Sequence, residues 1–341
     1  MKEYKRKPDF SNLTAVLEKK IPKRPTLFEF FLNGNLEKYL CEDDYDISSR
    51  LASVKTKMKA FKNAGYDYVT LGIGGFYFER LSSESKNTKS INGHGIITDN
   101  ESFNRYKWLN PNDFNYSELD SFAEILPKGM KIIVCGPDGV LENVIGIVGY
   151  DNLCIMLYEN PQLVSDIFEH VGERLLNYYN HCIKYDCVGA LISNDDWGFN
   201  TQTMLSPADM RKYCFPWHKK ISQAAHEQGK YAILHSCGRY DEVIDDVIDD
   251  MKFDARHSYE DNITPVEIAY PKLHDKIAVL GGIDVDFMTR KSPEEVYNRA
   301  KRLIEMTNDG GGYALGTGNS IADYIPIENY FAMTRAALEN D

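Results

Sequence analysis

Several large functional classes are excluded by what this 341-residue sequence does not contain. No run of about 18 apolar residues occurs, so no membrane-spanning helix is expected. Basic charge is in deficit: 39 Lys and Arg face 51 Asp and Glu, a formal charge of −12. Nucleic-acid binders carry a basic footprint and proteins held on anionic lipid carry polybasic patches, so neither partner is expected. Cysteine is sparse, with seven thiols scattered at 41, 135, 154, 182, 187, 214 and 237. That odd, dispersed set is no disulfide framework, and it points to a reducing cytoplasm. The basic start MKEYKRKPDF has no apolar stretch behind it and does not read as a secretory signal. No Ser-, Gly- or Pro-rich linker and no short repeat interrupts the chain, so residues 1–341 are read as one domain.

What is present is a rhythm. With 43% hydrophobic residues the chain can bury a large core. Eight short apolar runs recur at 26–31, 67–73, 131–136, 189–193, 231–236, 254–258, 276–282 and 312–318. They lack clean alternation, as strands buried on both faces do. Helical patterns fill the gaps. Ser206-Pro207 opens one that runs to Gly229, with Pro216 kinking or dividing it. Asn160-Pro161, Ser292-Pro293, Thr264-Pro265 and Ile325-Pro326 open others. Eight strands alternating with helices predict an α/β (β/α)8 TIM barrel. An N-terminal extension at 1–24 and a polar, loop-like insertion after the second strand, at about 76–125, account for the extra length. The alternative, a doubly wound open sheet, usually carries a Gly-rich phosphate loop after its first strand. Here that segment is LNGNLEKYL, with no GxGxxG.

In a barrel the chemistry sits at the carboxyl ends of the strands. His235 and Cys237, at i and i+2 of an extended segment, face the same way. Imidazole and thiolate together are donors that zinc accepts, although a strand end with a satisfied His and an inert Cys has the same spelling. Asp195-Asp196, flanked by Asn194 and Trp197, is an acid pair able to share a proton or orient a ligand; a loop cap reads the same way. Glu29 lies inside TLFEFF, where a carboxylate is costly to bury unless it is paired or metal-bound. His94, in a Gly-His-Gly loop, is a lid candidate. His257 offers a second imidazole near the mouth, and Tyr77-Phe78 an aromatic wall. The acidic run 241–254 reads as a solvated helix face.

Five strings, in order, resemble one family: GALISNDDWGFNTQTMLSPADMRKYCFPW from 189, HEQGKYAILHSCGRYDEVIDDVID from 226, KIAVLGGIDVDFM from 276, SPEEVYNRAKRLIE from 292 and GGGYALGTGNSIADYIPIENYFAM from 310. The resemblance is to the uroporphyrinogen decarboxylase superfamily. It covers about residues 25–340, most clearly after 185, and implies a barrel with its site at the carboxyl face. True decarboxylases of that superfamily carry an Arg-rich segment after the first strand and an Asp after the second. This chain has FLNGNLEKYL and LGIGG there. The resemblance therefore points to the cobalamin-dependent methyltransferase branch. In its coenzyme M enzymes zinc is held by a His-x-Cys like His235-Ser236-Cys237 plus a Cys after the last strand. Here that last position is Asn319, beside Thr317 and Ser320, and no thiolate is present.

The resemblance implies a corrinoid-dependent methyltransferase, an O-demethylase moving a methyl group between a small methoxylated donor and a corrinoid protein. Methylcobalamin or a related corrinoid is carried by that partner, with Zn2+ as Lewis acid. The expected metal ligands are His235, Cys237 and Glu29. Asp195 and Asp196 are the expected catalytic acids, and Asn194, Trp197, His257, Asn319 and Tyr77 the expected substrate contacts. Relatives imply a homodimer or a monomer. Two alternatives stay open: a decarboxylase-like lyase on a tetrapyrrole, drawing on Arg80, Arg105, Arg239 and Arg256, and a non-catalytic ligand-binding barrel.

Overall fold

Among the described residues, seven parallel strands form one sheet in strictly sequential order, β1-β2-β3-β4-β5-β6-β7. They are β1 (Tyr68–Gly72), β2 (Lys131–Cys135), β3 (Val188–Asn194), β4 (Tyr231–His235), β5 (Ala255–His257), β6 (Ala278–Leu280) and β7 (Tyr313–Ala314). The coordinates are a computed structural model describing residues 6–81 and 95–339. Six of the strands fall inside apolar runs read from the sequence, and β3 exceeds its run, 189–193, by one residue at each end. Helices intervene between successive strands, so every pairing is a parallel crossover unit.

The first run, 26–31, forms a single bridge and not a ladder strand, which corrects the expectation of eight. It touches β7 through one parallel bridge, Leu27 to Leu315. Two backbone bonds hold it: Phe28 N–H to Leu315 O and Leu315 N–H to Thr26 O, both 2.8 Å. On the β1 side a side chain replaces the ladder. The Tyr68 hydroxyl accepts from Glu29 N–H at 2.7 Å and donates to Glu29 C=O at 2.7 Å. The segment thus lies against both edge strands of a curled sheet, with Tyr68 supplying what a strand would.

The N-terminal extension closes the opposite end. Its helix Ser11–Leu17 and flanking residues meet the amino ends of the strands. Phe10 N–H bonds Gly129 O ahead of β2, Gly312 N–H bonds Lys20 O ahead of β7, and Arg24 pairs with Asp67 ahead of β1 at 2.7 Å. A Cβ at Gly189, in β3, would meet the Phe10 ring at 2.5 Å, so glycine there makes room for the plug.

The connection from β1 to β2 is more ordered than expected. Its described part holds the helices Asn100–Arg105 and Glu118–Ile125 and a 3-10 turn at Pro111–Asp113. Asp99 and Ser102 form a capping box that starts the first of these. His94 lies outside the described residues.

Pro216 divides its helix as anticipated. Ser206 caps the start, Pro207–Asp209 is α-helical, Met210–Cys214 widens into a π turn, and Phe215–Glu227 is α-helical again. Proline lacks an N–H and crowds the carbonyl four residues back, and the wider turn accommodates both. The acidic run 241–254 is short 3-10 and π turns. Asp246 and Asp250 of this run pair with Arg211 and Lys219, whereas Asp254 turns back to accept from Ala232 N–H at 2.8 Å.

Candidate active site

Register brings the polar residues level. Asn194, His235 and His257 are pairing partners at the carboxyl ends of β3, β4 and β5. Partners in a sheet share a face, and here that face is the inside of the curl. The ring of Phe28 packs edge-on to His257 at 5.1 Å, and that of Phe30 lies 4.7 Å from His235. Alternation then decides two neighbours. Phe28 and Phe30 point inward, so Glu29 points out. Asn194 points inward, so Asp195 points out.

Glu29 is fully buried behind the wall. Its carboxyl accepts from Thr317 N–H at 2.6 Å and Thr317 Oγ1 at 2.7 Å. Burial raises its pKa to about 8, against the smaller pull of Thr317. Among the described residues it joins no cluster of potential metal ligands. The expectation that Glu29 completes a ligand set with His235 and Cys237 is therefore corrected.

Asp195 and Asp196 part company as well. Asp195 is completely buried and accepts from Leu141 N–H (2.9 Å), Glu142 N–H (2.9 Å), Trp197 Nε1 (2.9 Å) and His218 Nε2 (2.8 Å), with the Cys214 thiol at 3.5 Å. It caps the helix Val140–Val148 from a different strand and pins Trp197, whose ring is enclosed by Phe215, His218 and Tyr240. Ser193 Oγ holds the other His218 nitrogen at 3.0 Å. Asp195, Cys214 and His218 are close enough to hold an ion, but the carboxylate already faces donors on every side, so a cation there would have to displace them.

Asp196 instead faces the mouth and is half-buried. Its Oδ1 accepts from Cys237 N–H at 2.9 Å. Ligand atoms of Asp196, His235 and Cys237 lie within 4.8 Å of one another. The i, i+2 geometry holds: Cys237 Sγ is 3.8 Å from His235 Nε2. Gly238 makes the turn, with φ +81° and a hypothetical Cβ only 1.9 Å from Gly198 O, so the loops after β3 and β4 cross at this glycine. Asn319 Nδ2 donates to Cys237 Sγ at 3.2 Å.

Burial dominates the electrostatics. It pushes His235 down to about 4 and His257 well below its usual value. It pushes the Cys237 thiol up, helped by the Asp196 charge. The site is thus a neutral imidazole, a thiol and a carboxylate converging on one point. Nitrogen, sulfur and oxygen donors at that spacing fit zinc, whose charge would favour the thiolate that burial alone opposes.

The other expected contacts separate. Asn194 Oδ1 is buried beside His235 without a hydrogen-bond partner among the described residues. Tyr77 is exposed on the loop after β1, while Phe76 and Phe78 turn inward. Trp197 lies in the support layer. Glu142 went unnoticed in the sequence. Its carboxyl accepts from Gly139 N–H at 3.1 Å, and burial, then Asp195 and Asp196, raise its pKa to about 9. Only half of a capping box forms here, because Gly139 has no side chain to return the bond, and the sequence therefore carries no capping signal for Glu142. His218 was also missed, and its i, i+4 spacing from Cys214 was the available clue.

The four arginines of the lyase alternative are all engaged. Arg80 pairs with Asp138 at 2.8 Å, Arg105 with Glu101 at 2.6 Å, and Arg239 and Arg256 share Asp241 at 3.6 and 3.8 Å.

Residues 133–339 match the profile of the family described as uroporphyrinogen decarboxylase (URO-D). The chain belongs to the uroporphyrinogen decarboxylase family. Among curated proteins it is similar to a methylated-thiol–coenzyme M methyltransferase of Methanosarcina mazei, 28% identical over 144 residues. That match spans 41% of this chain and 35% of the relative, so it compares only about a third of that protein. Among solved structures it resembles a methyltransferase from Methanosarcina mazei, with a TM-score of 0.71, 16% identity and coverage of 97% of this chain and 98% of that one. At that identity the likeness concerns the fold. It extends through the N-terminal part that the family profile leaves unmatched. Both named relatives are methyltransferases, the branch that the resemblance read from the sequence implies.

Proposed function

We propose that this family member is a corrinoid-dependent methyltransferase, taking a methyl group from a small methoxylated donor and passing it to a corrinoid protein. The observation that carries this reading is the convergence of Asp196, His235 and Cys237 at the barrel mouth. Those three residues would hold zinc, and Asn319 would stay beside the sulfur as a hydrogen-bond donor. Zinc, when bound, supplies a Lewis acid that stabilises negative charge on the donor's oxygen as the methyl–oxygen bond breaks. The bond's electron pair stays on oxygen, which takes a proton at the open mouth, and the methyl leaves to the corrinoid.

The protein's share is positioning. Phe30, stacked on Phe31 at 3.9 Å, gives the methyl group an apolar wall next to His235. Asn194 Oδ1 is left to accept a hydrogen bond from the bound molecule. Asp195 fixes the loop that carries Asp196. Phe31, Tyr77 and Tyr324 are exposed on loops leaving the carboxyl ends, an apolar rim suited to a docking corrinoid protein. The lyase alternative gains nothing here, because its arginines are already paired.

The test uses purified protein with added zinc, reduced cobalamin and 2-methoxyphenol. Catechol is expected from wild type and not from Cys237→Ala. Protein that carries no zinc and takes up none would overturn the metal assignment. Zinc-loaded protein that gives no catechol but, in a parallel assay with dimethyl sulfide as donor, methylates the reduced cobalamin and releases methanethiol would move the donor to the methylated thiols.

A further inference from the structure

Asn319, expected among the substrate contacts, turns its amide toward a sulfur. Its Nδ2 lies 3.2 Å from Cys237 Sγ, across 82 residues of sequence. The backbone leading to it has no slack. Gly316 O accepts from Ile283 N–H at 3.0 Å and Thr317 O from Gly282 N–H at 3.0 Å. Gly318 N–H donates to Ile283 O at 2.7 Å, and Gly318 O accepts from Tyr259 N–H at 2.9 Å. A Cβ on Gly318 would stand 1.9 Å from Tyr259 O. The loops after β5, β6 and β7 are therefore stitched together immediately before Asn319, and the amide is delivered to the sulfur by the fold.

The chemistry of the pair decides which way the amide faces once the sulfur is a metal ligand. A thiolate has lone pairs and no hydrogen, so it can only accept. An amide N–H aimed at it makes a charge-assisted hydrogen bond, whereas the amide oxygen in that place would set two electron-rich atoms against each other. The bond has a second consequence beside a transferable methyl group, because a thiolate is itself a nucleophile. In the competing reaction an S–CH3 bond forms on Cys237 as the methyl–oxygen bond breaks, and that bond's electron pair stays on the donor oxygen. The resulting thioether carries no charge and is a poorer ligand for zinc. A hydrogen-bond donor on the sulfur draws off the charge that this attack requires.

We infer that Asn319 is a positioning residue that shields Cys237: its amide N–H holds the metal-bound sulfur in place and keeps it from taking the methyl group meant for the corrinoid. The shielding rests on the methyl-transfer reading above, whereas the contact between amide and sulfur is present without it. A hydrogen bond to a charged group is strong enough that losing it should change the rate of attack by about 10-fold.

The experiment uses the full chain and two variants. Asn319→Leu keeps the branched shape without a donor, and Asn319→Ala removes both. Each zinc-loaded protein is exposed to methyl iodide, and methylation of Cys237 is followed by peptide mass, with the partly exposed Cys154 as internal reference. Both variants should methylate at Cys237 about 10-fold faster than wild type, with Cys154 unchanged. With cobalt(II) in place of zinc, the sulfur-to-metal charge-transfer band should move to lower energy in both variants, because an unshielded thiolate gives up an electron more readily. Acceleration in Asn319→Ala alone means that the side chain only fills space, and overturns the inference, as does a cobalt band that stays where it is in wild type. Should Asn319→Leu fail to fold, the cobalt band of Asn319→Ala decides, since it does not depend on access. Wild type that takes up neither metal overturns this inference together with the metal reading. Metal uptake with both variants behaving as wild type overturns this inference alone. Faster methylation of Cys237 in the variants of a protein that makes no catechol overturns the donor assignment and leaves the shield in place.

Discussion

Two adjacent aspartates stand on opposite sides of one strand end, and their substitutions should behave differently. Asp195→Asn replaces an acceptor ringed by buried donors, so some lose their partner at a typical cost of ~1–3 kcal/mol each. Urea unfolding should show a loss of roughly 2–4 kcal/mol. Asp196→Asn removes a half-exposed carboxylate with one backbone bond. Stability should change by less than about 1 kcal/mol, and zinc affinity should fall. Glu29 gives a pH signature. In the folded chain it keeps its proton to about pH 8, and an unfolded chain releases it near 4.5. Between those values the folded state binds more protons, so stability contributed by the neutral acid is complete below pH 4.5 and declines as pH rises toward 8. Glu29→Gln should flatten this part of the melting-temperature profile. An unchanged slope from pH 5 to 8 would assign the decline to another group.

Strand ends and helix starts set how these residues meet. The Ser-Pro and Asn-Pro openings were readable because a side-chain acceptor and a locked φ act locally. The same holds for Ser292, whose capping box with Glu295 forms as spelled. The loop crossing at Gly238 was only half legible. The turn could be read, but the contact with Gly198 could not, because it joins residues 40 apart. Gly238→Ala meets both a positive φ and a backbone oxygen at 1.9 Å. It should destabilise by more than ~1 kcal/mol and weaken zinc binding, since the same turn aims Cys237. Thermal melts together with metal titration check this. The π turn before Pro216 has a similar double role, because it sets the face from which Cys214 and His218 reach Asp195.

At the scale of the whole molecule, the sheet meets its own far edge through a segment that is hardly a strand. Tyr68 makes two hydrogen bonds to Glu29 in place of a ladder, and the Glu29 carboxyl makes two to Thr317. Tyr68→Phe leaves a buried N–H and C=O of Glu29 without their partner. The expected loss is roughly 2–4 kcal/mol, with faster amide exchange at residues 27–32 than in β3. Equal protection of both segments would mean that the segment is held by packing alone. The plug of Phe10, Arg24 and Lys20 at the other end leaves the carboxyl face as the open one, which is where the polar residues collect.

Period, capping and apolar runs are local properties, and they were enough for seven strands, the placement of several helices and the shared direction of His235 and Cys237. Which carboxylate joined that pair was not local. Glu29, Asp195 and Asp196 are equally acidic in the sequence. Only the curl of the sheet, which turned Phe28, Phe30 and Asn194 inward, sent the first two behind the wall and left the third at the mouth. The His235–His257 contact is of the same kind, because residues 22 apart become neighbours only when parallel strands fall into register.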